Sequence, residues 1–303
     1  MRVLLLGADG FVGHHVRARL AAETGLSVIT AARRGDVHAD VRLDLADGVV
    51  GVAHAVRDAV PDVVVNCAGA ATGDIASLAA GNLIAVSNLV DALLTAGRST
   101  RLVHLGSAAE YGRAEAGTST REDAPERPVT AYGLAKLAAT RLVRTAAGAG
   151  LDAVSLRVTT PIGPDAPAVG GAGRVVAQLR AGSIGVTTGP LDDVRDYVDV
   201  RDVADAVVAA ALRPHGQAAL PAVINVGSGV GTPTRTMVEA LLALAGFTGG
   251  LRTDGGGAPR DAAVPWQQVD VAVARTTLGW APSRPLHTSL RDLWESSAPL
   301  VPV

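Results

Sequence analysis

The chain of 303 residues contains a single cysteine, Cys67. One thiol excludes an internal disulfide, so cysteine usage gives no sign of an oxidising compartment. Cys67 stands in an apolar run, which suits a small core residue better than a nucleophile. Aromatic residues make up 3% of the chain, too few for the stacking platforms that single-strand nucleic-acid binders use. The formal net charge of −2 supplies no basic surface, so no nucleic-acid partner is expected. Lysine is almost missing: Lys136 is the only one, and the other basic side chains are arginines. No uninterrupted apolar stretch reaches the roughly 18 residues of a membrane span, and the N-terminal run Val3–Leu6 is too short for a signal-peptide core. These absences predict a cytoplasmic protein with no membrane partner. None of the seven histidines stands at metal-ligand spacing beside a carboxylate or thiol, and adjacent His14 and His15 point to different helix faces. No metal is expected.

What is present is a regular alternation. Short apolar runs at 3–6, 28–31, 63–65, 102–105, 153–158 and 223–226 are separated by helical patterns at 10–22, 82–97, 132–148 and 202–212. Continuous apolar strands joined through helices pair in parallel, with both faces of the sheet covered. The fold class is therefore α/β, a doubly wound parallel sheet of the Rossmann kind. The stretches 161–173 and 249–265 are rich in glycine and proline and break the pattern. The expected division is a dinucleotide-binding domain from 1–160 and 199–228. A smaller, discontinuous substrate lobe from 161–198 and 229–303 would cover the carboxyl edge of the sheet, where ligands bind in such folds. Leu286, Leu290, Leu293 and Trp294 share one face of a closing helix over 286–296, which reads as packing.

Gly7, Asp9, Gly10, Phe11, Val12 and Gly13 lie between the first strand and the first helix. Glycines there let backbone approach a pyrophosphate, and the helix start offers unpaired N–H groups. A carboxylate at the tip of the second strand would bond the adenosine ribose and favour NAD(H). The chain has Ala32, Arg33 and Arg34 instead. Two guanidinium groups suit a 2′-phosphate, so NADP(H) is the expected cofactor, with NAD(H) the alternative. Asp44 and Leu45 follow the third strand, and the aspartate serves either the adenine edge or a helix cap.

Tyr132 and Lys136 stand four apart on one helical face. An ordinary phenol has a pKa near 10, too high for efficient proton transfer at neutral pH, and a neighbouring cation lowers it. Ser107, just past a strand, is placed to hydrogen-bond a reacting carbonyl oxygen or to satisfy turn backbone.

Together these residues resemble an extended short-chain dehydrogenase/reductase of the sugar-nucleotide epimerase/dehydratase/reductase group. Asn66-Cys67-Ala68-Gly69, Asn82 with Asn88–Ala92, Arg195–Ala204, Asn225–Gly229 and Leu278–Pro282 carry the likeness beside the glycine triplet, Ser107, Tyr132 and Lys136. It implies that Ala68, Asn82 and Lys136 join the cofactor site. Gly189–Tyr197 is most similar to reductases of nucleotide-linked 4-keto-6-deoxyhexoses, which implies that Arg195 and Arg260 hold a substrate diphosphate. Thr160 stands where the group usually has asparagine, and Asp261 and Ala263 replace the usual neighbours of Arg260. A dehydratase of this group needs an Asp-Glu pair where the chain has Ala108 and Ala109, which cannot move protons. An epimerase would keep NAD bound. The expectation is an NADPH-dependent ketoreductase acting on a nucleotide sugar. The alternative is an NAD(P)-dependent epimerase or reductase for another small carbonyl compound of the natural-product type. A cofactor sensor without catalysis would need no tyrosine–lysine pair. The resemblance also implies a homodimer built on helices 82–97 and 132–148.

Overall fold

The computed structural model describes residues 1–33, 39–214, 218–253 and 264–297. The chain opens β1 (Arg2–Leu6), α1 (Phe11–Ala21), β2 (Ser27–Ala32), β3 (Val41–Arg42), α2 (Val49–Ala59) and β4 (Val63–Asn66). A long helical segment follows as α3 (Ile75–Leu78), a π-helical turn (Ala79–Ile84) and α4 (Ala85–Thr95). Then come β5 (Arg101–Ser107), α5 (Ala131–Gly148), β6 (Ala153–Val158), β7 (Thr160–Ile162), α6 (Gly171–Arg180), β8 (Gly185–Thr188) and β9 (Val194–Asp199). The chain continues with α7 (Val200–Ala211), β10 (Val223–Val226), β11 (Gly231–Pro233), α8 (Thr234–Leu244), β12 (Gly250–Thr253), α9 (Ala272–Leu278) and α10 (Leu286–Ser296).

Seven parallel strands form the main sheet in the order β10-β6-β5-β4-β1-β2-β3. Alternation along β1 explains why both faces need cover. Val3 and Leu5 enter one core with Val16 and Leu20 of α1 and Val203 and Val207 of α7. Leu4 and Leu6 enter the other with Val52 and Val56 of α2 and Val86 and Leu89 of α4. Successive side chains point to opposite faces, so an unbroken apolar run requires two helical layers. The chain builds outward from β1 to β3, then returns to β4 on the other side of β1. That reversal opens a crevice at the carboxyl ends of β1 and β4, the position where ligands bind in doubly wound sheets.

A third core contains Ile162, Val175, Val186, Tyr197, Met237, Leu241, Leu290 and Leu293. It lies among α6, α8, α10, the β11-β9-β7 sheet and the β8-β12 pair. Val269, Val271, Ala274 and Trp280 instead pack into the first core.

The helical segment begins at Ile75, earlier than the apolar pattern from 82 indicates. Asp74 caps it by accepting from the Ser77 N–H at 2.8 Å, while Ile75 is exposed and so carries no periodic signal. Ile75–Thr95 is long and apolar enough to cross a membrane by length and composition alone. Its apolarity has a packing cause, since Ala85, Val86, Leu89, Val90, Ala92 and Leu93 are buried against the sheet and its neighbours.

Candidate active site

Gly7 sits at φ +74° and donates its N–H to Ala31 O at 2.9 Å. A Cβ there would lie 2.6 Å from the Ala68 nitrogen, and one at Gly13 would lie 2.0 Å from Gly7 O. Both contacts are impossible for real side chains, so two of the three glycines are demanded by close backbone packing. Gly10 caps α1 without a side-chain hydrogen bond, and the first turn holds no acidic residue. The opening N–H groups at Phe11, Val12 and Gly13 therefore keep the donor character and partial positive charge that fit a pyrophosphate. Asp9 is exposed beside them. Arg33 is exposed directly after β2, while Arg34 lies outside the described residues.

Asp44 Oδ1 accepts the Ala46 N–H at 2.9 Å, so that oxygen serves as a cap. Leu45 is buried, and its carbonyl accepts from Asn88 Nδ2 at 2.8 Å. Asp40 is a carboxylate near β2 that the sequence pattern did not single out. It accepts from both the N–H and the hydroxyl of Thr30 at 2.8 Å, and these bonds hold its carboxyl below the usual carboxylate range.

At the end of β5, Ser107 opens a short turn. Its Oγ accepts from the Ala109 N–H at 3.2 Å, and Glu110 Oε1 accepts from the Ser107 N–H at 2.8 Å. This capping box uses the serine oxygen as an acceptor and leaves its O–H proton to donate. The structure shows the turn-capping role of Ser107.

Helix α5 brings Tyr132 and Lys136 to the same place. Thr130 caps it by accepting from Gly133 N–H at 3.1 Å. A Cβ at Gly133 would stand 2.5 Å from Ala109 O, and one at Gly106 would stand 2.8 Å from Glu110 Oε1. Glycine at both positions lets α5 lie against the Ser107 turn. Lys136 is buried and donates to Leu105 O at 2.5 Å. Tyr132 is half-buried one turn earlier.

Packed against α5, Asn82 lies within the π-helical turn, a distortion frequent at functional positions. Its Nδ2 donates to Ala70 O and Leu78 O at 2.9 Å, yet its buried Oδ1 has no partner. A Cβ at Gly69 would lie 2.9 Å from that oxygen and 3.8 Å from Lys136 Nζ. A bare backbone, an orphaned acceptor and an ammonium thus converge beyond β4, as a bound nicotinamide ribose would require. Ala68 N–H donates to Asn66 Oδ1 at 3.0 Å, and Asn66 Nδ2 donates to His104 Nδ1 at 3.2 Å. Burial, then the Lys136 charge, holds His104 well below its ordinary value. Burial pushes the Cys67 thiol up to about 12, so Cys67 is no nucleophile.

Beneath the turn lies a charged cluster that sequence reasoning missed. Glu110 and Arg157 are fully buried and joined at 2.6 Å. Arg157 also pairs with Glu126 and stacks 4.4 Å from the centre of the Tyr111 ring. Thr140 bridges Glu110 and Ser155 at 2.9 Å each, and Tyr111 donates to Asn225 Oδ1 at 2.7 Å. The available signals were Glu110 in a largely apolar strand–turn segment and Arg157 inside the apolar run of β6.

On the substrate side, Thr160 is paired with Tyr197 across β7 and β9, while Arg195 faces Thr232 of β11. Residues at 195 and 197 share a strand face, so Thr160 and Arg195 stand on one face of the small sheet. Val158, two residues before Thr160, pairs with Ser107. The small sheet therefore starts at the edge where Ser107 ends its strand. Thr160 Oγ1 donates to Gln267 Oε1 at 3.3 Å. Arg195 is buried and paired with Asp193 at 3.0 Å. Arg260 lies outside the described residues. Among the described residues, no cluster of three or more metal-ligating side chains occurs.

The crevice between β1 and β4, its glycine cradle and the Ser-Tyr-Lys set define a dinucleotide-dependent oxidoreductase of the extended short-chain type. Residues 3–227 match the NAD dependent epimerase/dehydratase family, and the chain belongs to that family. It is 37% identical to dTDP-6-deoxy-L-talose 4-dehydrogenase (NAD(P)+) of Kitasatospora kifunensis, over 99% of this chain and 97% of the relative. Among solved structures, MoeE5 with UDP-glucose and NAD superposes with TM-score 0.84 at 27% identity, covering 98% of each chain. RMD from Pseudomonas aeruginosa with NADPH gives TM-score 0.81 at 27% identity, over 97% of this chain and 98% of that one.

Proposed function

We propose that the protein is an NADPH-dependent ketoreductase that reduces the keto group of a nucleotide-linked 4-keto-6-deoxyhexose. The observation that carries this reading is Lys136, buried under the end of β5 and one helical turn from Tyr132, with the Ser107 turn held against the same helix. Bound NADPH supplies a hydride. The chain supplies the rest. Ser107 donates its free hydroxyl proton toward the carbonyl oxygen and stabilises the charge that develops there. Tyr132 delivers the proton that completes the alcohol. Lys136, held at Leu105 O, would hold the nicotinamide ribose and supply positive charge one helical turn from Tyr132. Glu110 is the one acid in the turn, and it is committed to Arg157, Thr140 and the Ser107 N–H. With Ala108 and Ala109 beside it, nothing in the turn is set up for elimination of water, which favours simple reduction.

The relative from Kitasatospora carries a name for 4-dehydrogenation of a dTDP-linked 6-deoxyhexose, the same hydride transfer in reverse. The exposed Arg33 after a strand tip without a carboxylate supports NADPH over NADH. The test is turnover of dTDP-, GDP- and UDP-linked 4-keto-6-deoxyhexoses with each cofactor, followed by nicotinamide fluorescence. NADPH oxidation with at least one of these sugars is expected, and Tyr132→Phe should lower kcat by roughly 100-fold or more. Turnover untouched by that substitution, or restricted to small ketones lacking a nucleotide, overturns the proposal.

A further inference from the structure

The guanidinium of Arg195 is engaged before any substrate arrives. Its Nη2 donates to Asp193 Oδ2 at 3.0 Å and its Nη1 to Val194 O at 2.9 Å. Asp193 is pinned in turn, because its carbonyl accepts from the Thr234 N–H at the start of α8 at 2.8 Å. Strand alternation places 195 and 197 on one side, with Thr160 opposite Tyr197, and the 3.0 Å bond holds the Asp193 carboxylate beside the guanidinium. The carboxylate and the guanidinium therefore occupy the same face of the substrate lobe. Arg195 is 7% exposed at its side chain and Asp193 is 21% exposed, so the carboxylate is the more open member and the one able to leave.

A guanidinium presents a flat fork of N–H groups that donates to two oxygens of a carboxylate or of a phosphate, and the two anions draw on the same fork. A diphosphate reaching Arg195 meets Asp193 as a like charge at close range. We infer that Asp193 is an internal counter-ion that competes with the substrate diphosphate for Arg195 and so sets how tightly nucleotide sugars bind and how readily they leave. Asp193 acts through Arg195, as a specificity-determining residue, and the inference rests on the reading of Arg195 as a diphosphate contact. With no substrate bound, the carboxylate stays paired with the buried cation. Because the competition opposes ground-state and transition-state binding alike, it raises KM more than it changes kcat.

Calorimetric titration of the native protein, Asp193→Asn and Asp193→Glu with dTDP, and with thymidine as a phosphate-free control, tests this. Asp193→Asn should bind dTDP roughly tenfold more tightly with a steeper salt dependence. Thymidine affinity should not move, and Asp193→Glu should return dTDP affinity toward native. In turnover, Asp193→Asn should lower KM by more than it changes kcat. Adding Arg195→Gln should erase the difference between aspartate and asparagine at 193. If the native protein binds dTDP but Asp193→Asn binds it equally or more weakly, the competition is disproved while the diphosphate contact stands. If dTDP, GDP and UDP all bind no better than their nucleosides in every variant, the reading of Arg195 itself has failed, and the role of Asp193 falls with it.

Discussion

One missing β-carbon sets how closely α5 approaches the Ser107 turn. Gly133 lies between Tyr132 and Lys136, and a methyl there would meet Ala109 O at 2.5 Å. Two effects oppose each other on substitution by alanine. Helix propensity gains about 1 kcal/mol, while a backbone carbonyl cannot swing aside as a flexible side chain would, so α5 must shift. Gly133→Ala should therefore change unfolding free energy by no more than about 1 kcal/mol yet lower kcat at least about tenfold through misplaced geometry. Native kcat in this variant would show that the helix–turn distance is not critical. Tyr132 and Lys136 were legible because spacing on a helix needs no tertiary information. Gly133 was not, because its reason is an atom of another element. Asn82 became legible only through resemblance, since no local pattern reveals an orphaned oxygen beside a distant lysine.

At the scale of elements, β5, its turn, α5 and β6 are bolted together by the buried Arg157. Burial, the largest single influence, pushes its pKa down, but Glu110, Tyr111 and Glu126 together outweigh it and the net direction is upward. Burial works against Glu126 as well, but Arg157, Arg141 and Arg144 together outweigh it and hold the carboxyl below its ordinary range. Tyr111, pushed up to about 12 by burial, stays a neutral phenol that donates to Asn225. Removing one member of a buried pair strands the other charge at a cost of roughly 3–5 kcal/mol. Arg157→Met should lose about that much in urea unfolding, whereas Arg157→Met combined with Glu110→Gln should recover part of it. A single variant within about 0.5 kcal/mol of native would remove this cluster from the account. Glu110 and Arg157 are 47 positions apart, and only the register of β5 against β6 brings them together. That register follows from which apolar faces are buried, a global property with no local signature.

Across the whole molecule, the buried His104 and the half-buried His15 couple the fold to acidity. Burial lowers the pKa of His104, and the Lys136 charge lowers it further. Burial also lowers His15, whose Nε2 contacts Pro164 O at 3.1 Å. In the unfolded chain both titrate near pH 6.5. As pH falls below that value the unfolded state binds protons that the folded state refuses. The contribution is present above about pH 6.5 and lost as pH drops toward the folded pKa values, at up to about 1.4 kcal/mol per pH unit for each group. Asp196 works the other way: burial raises its pKa, so the folded state takes a proton more readily there, in the range above the ordinary carboxylate value. Unfolding free energy measured in urea should fall by about 1–2 kcal/mol between roughly pH 6.5 and 5.5. His15→Gln should flatten that slope, and a level profile in the native protein would show that these imidazoles are not held neutral.

The amino-acid sequence by itself determined the doubly wound sheet, the glycine cradle and the tyrosine–lysine pair, because each is written in spacing along a few neighbouring residues. Unbroken apolar runs can only become strands covered on both sides, and a four-residue spacing can only become one helical face. Which partner each polar group finds was decided by the tertiary structure alone. Glu110 became a counter-ion to Arg157, 47 positions away, and the Asn82 oxygen came beside the bare backbone of Gly69 near Lys136, since a polar group takes its meaning from what folding places within about 3 Å of it.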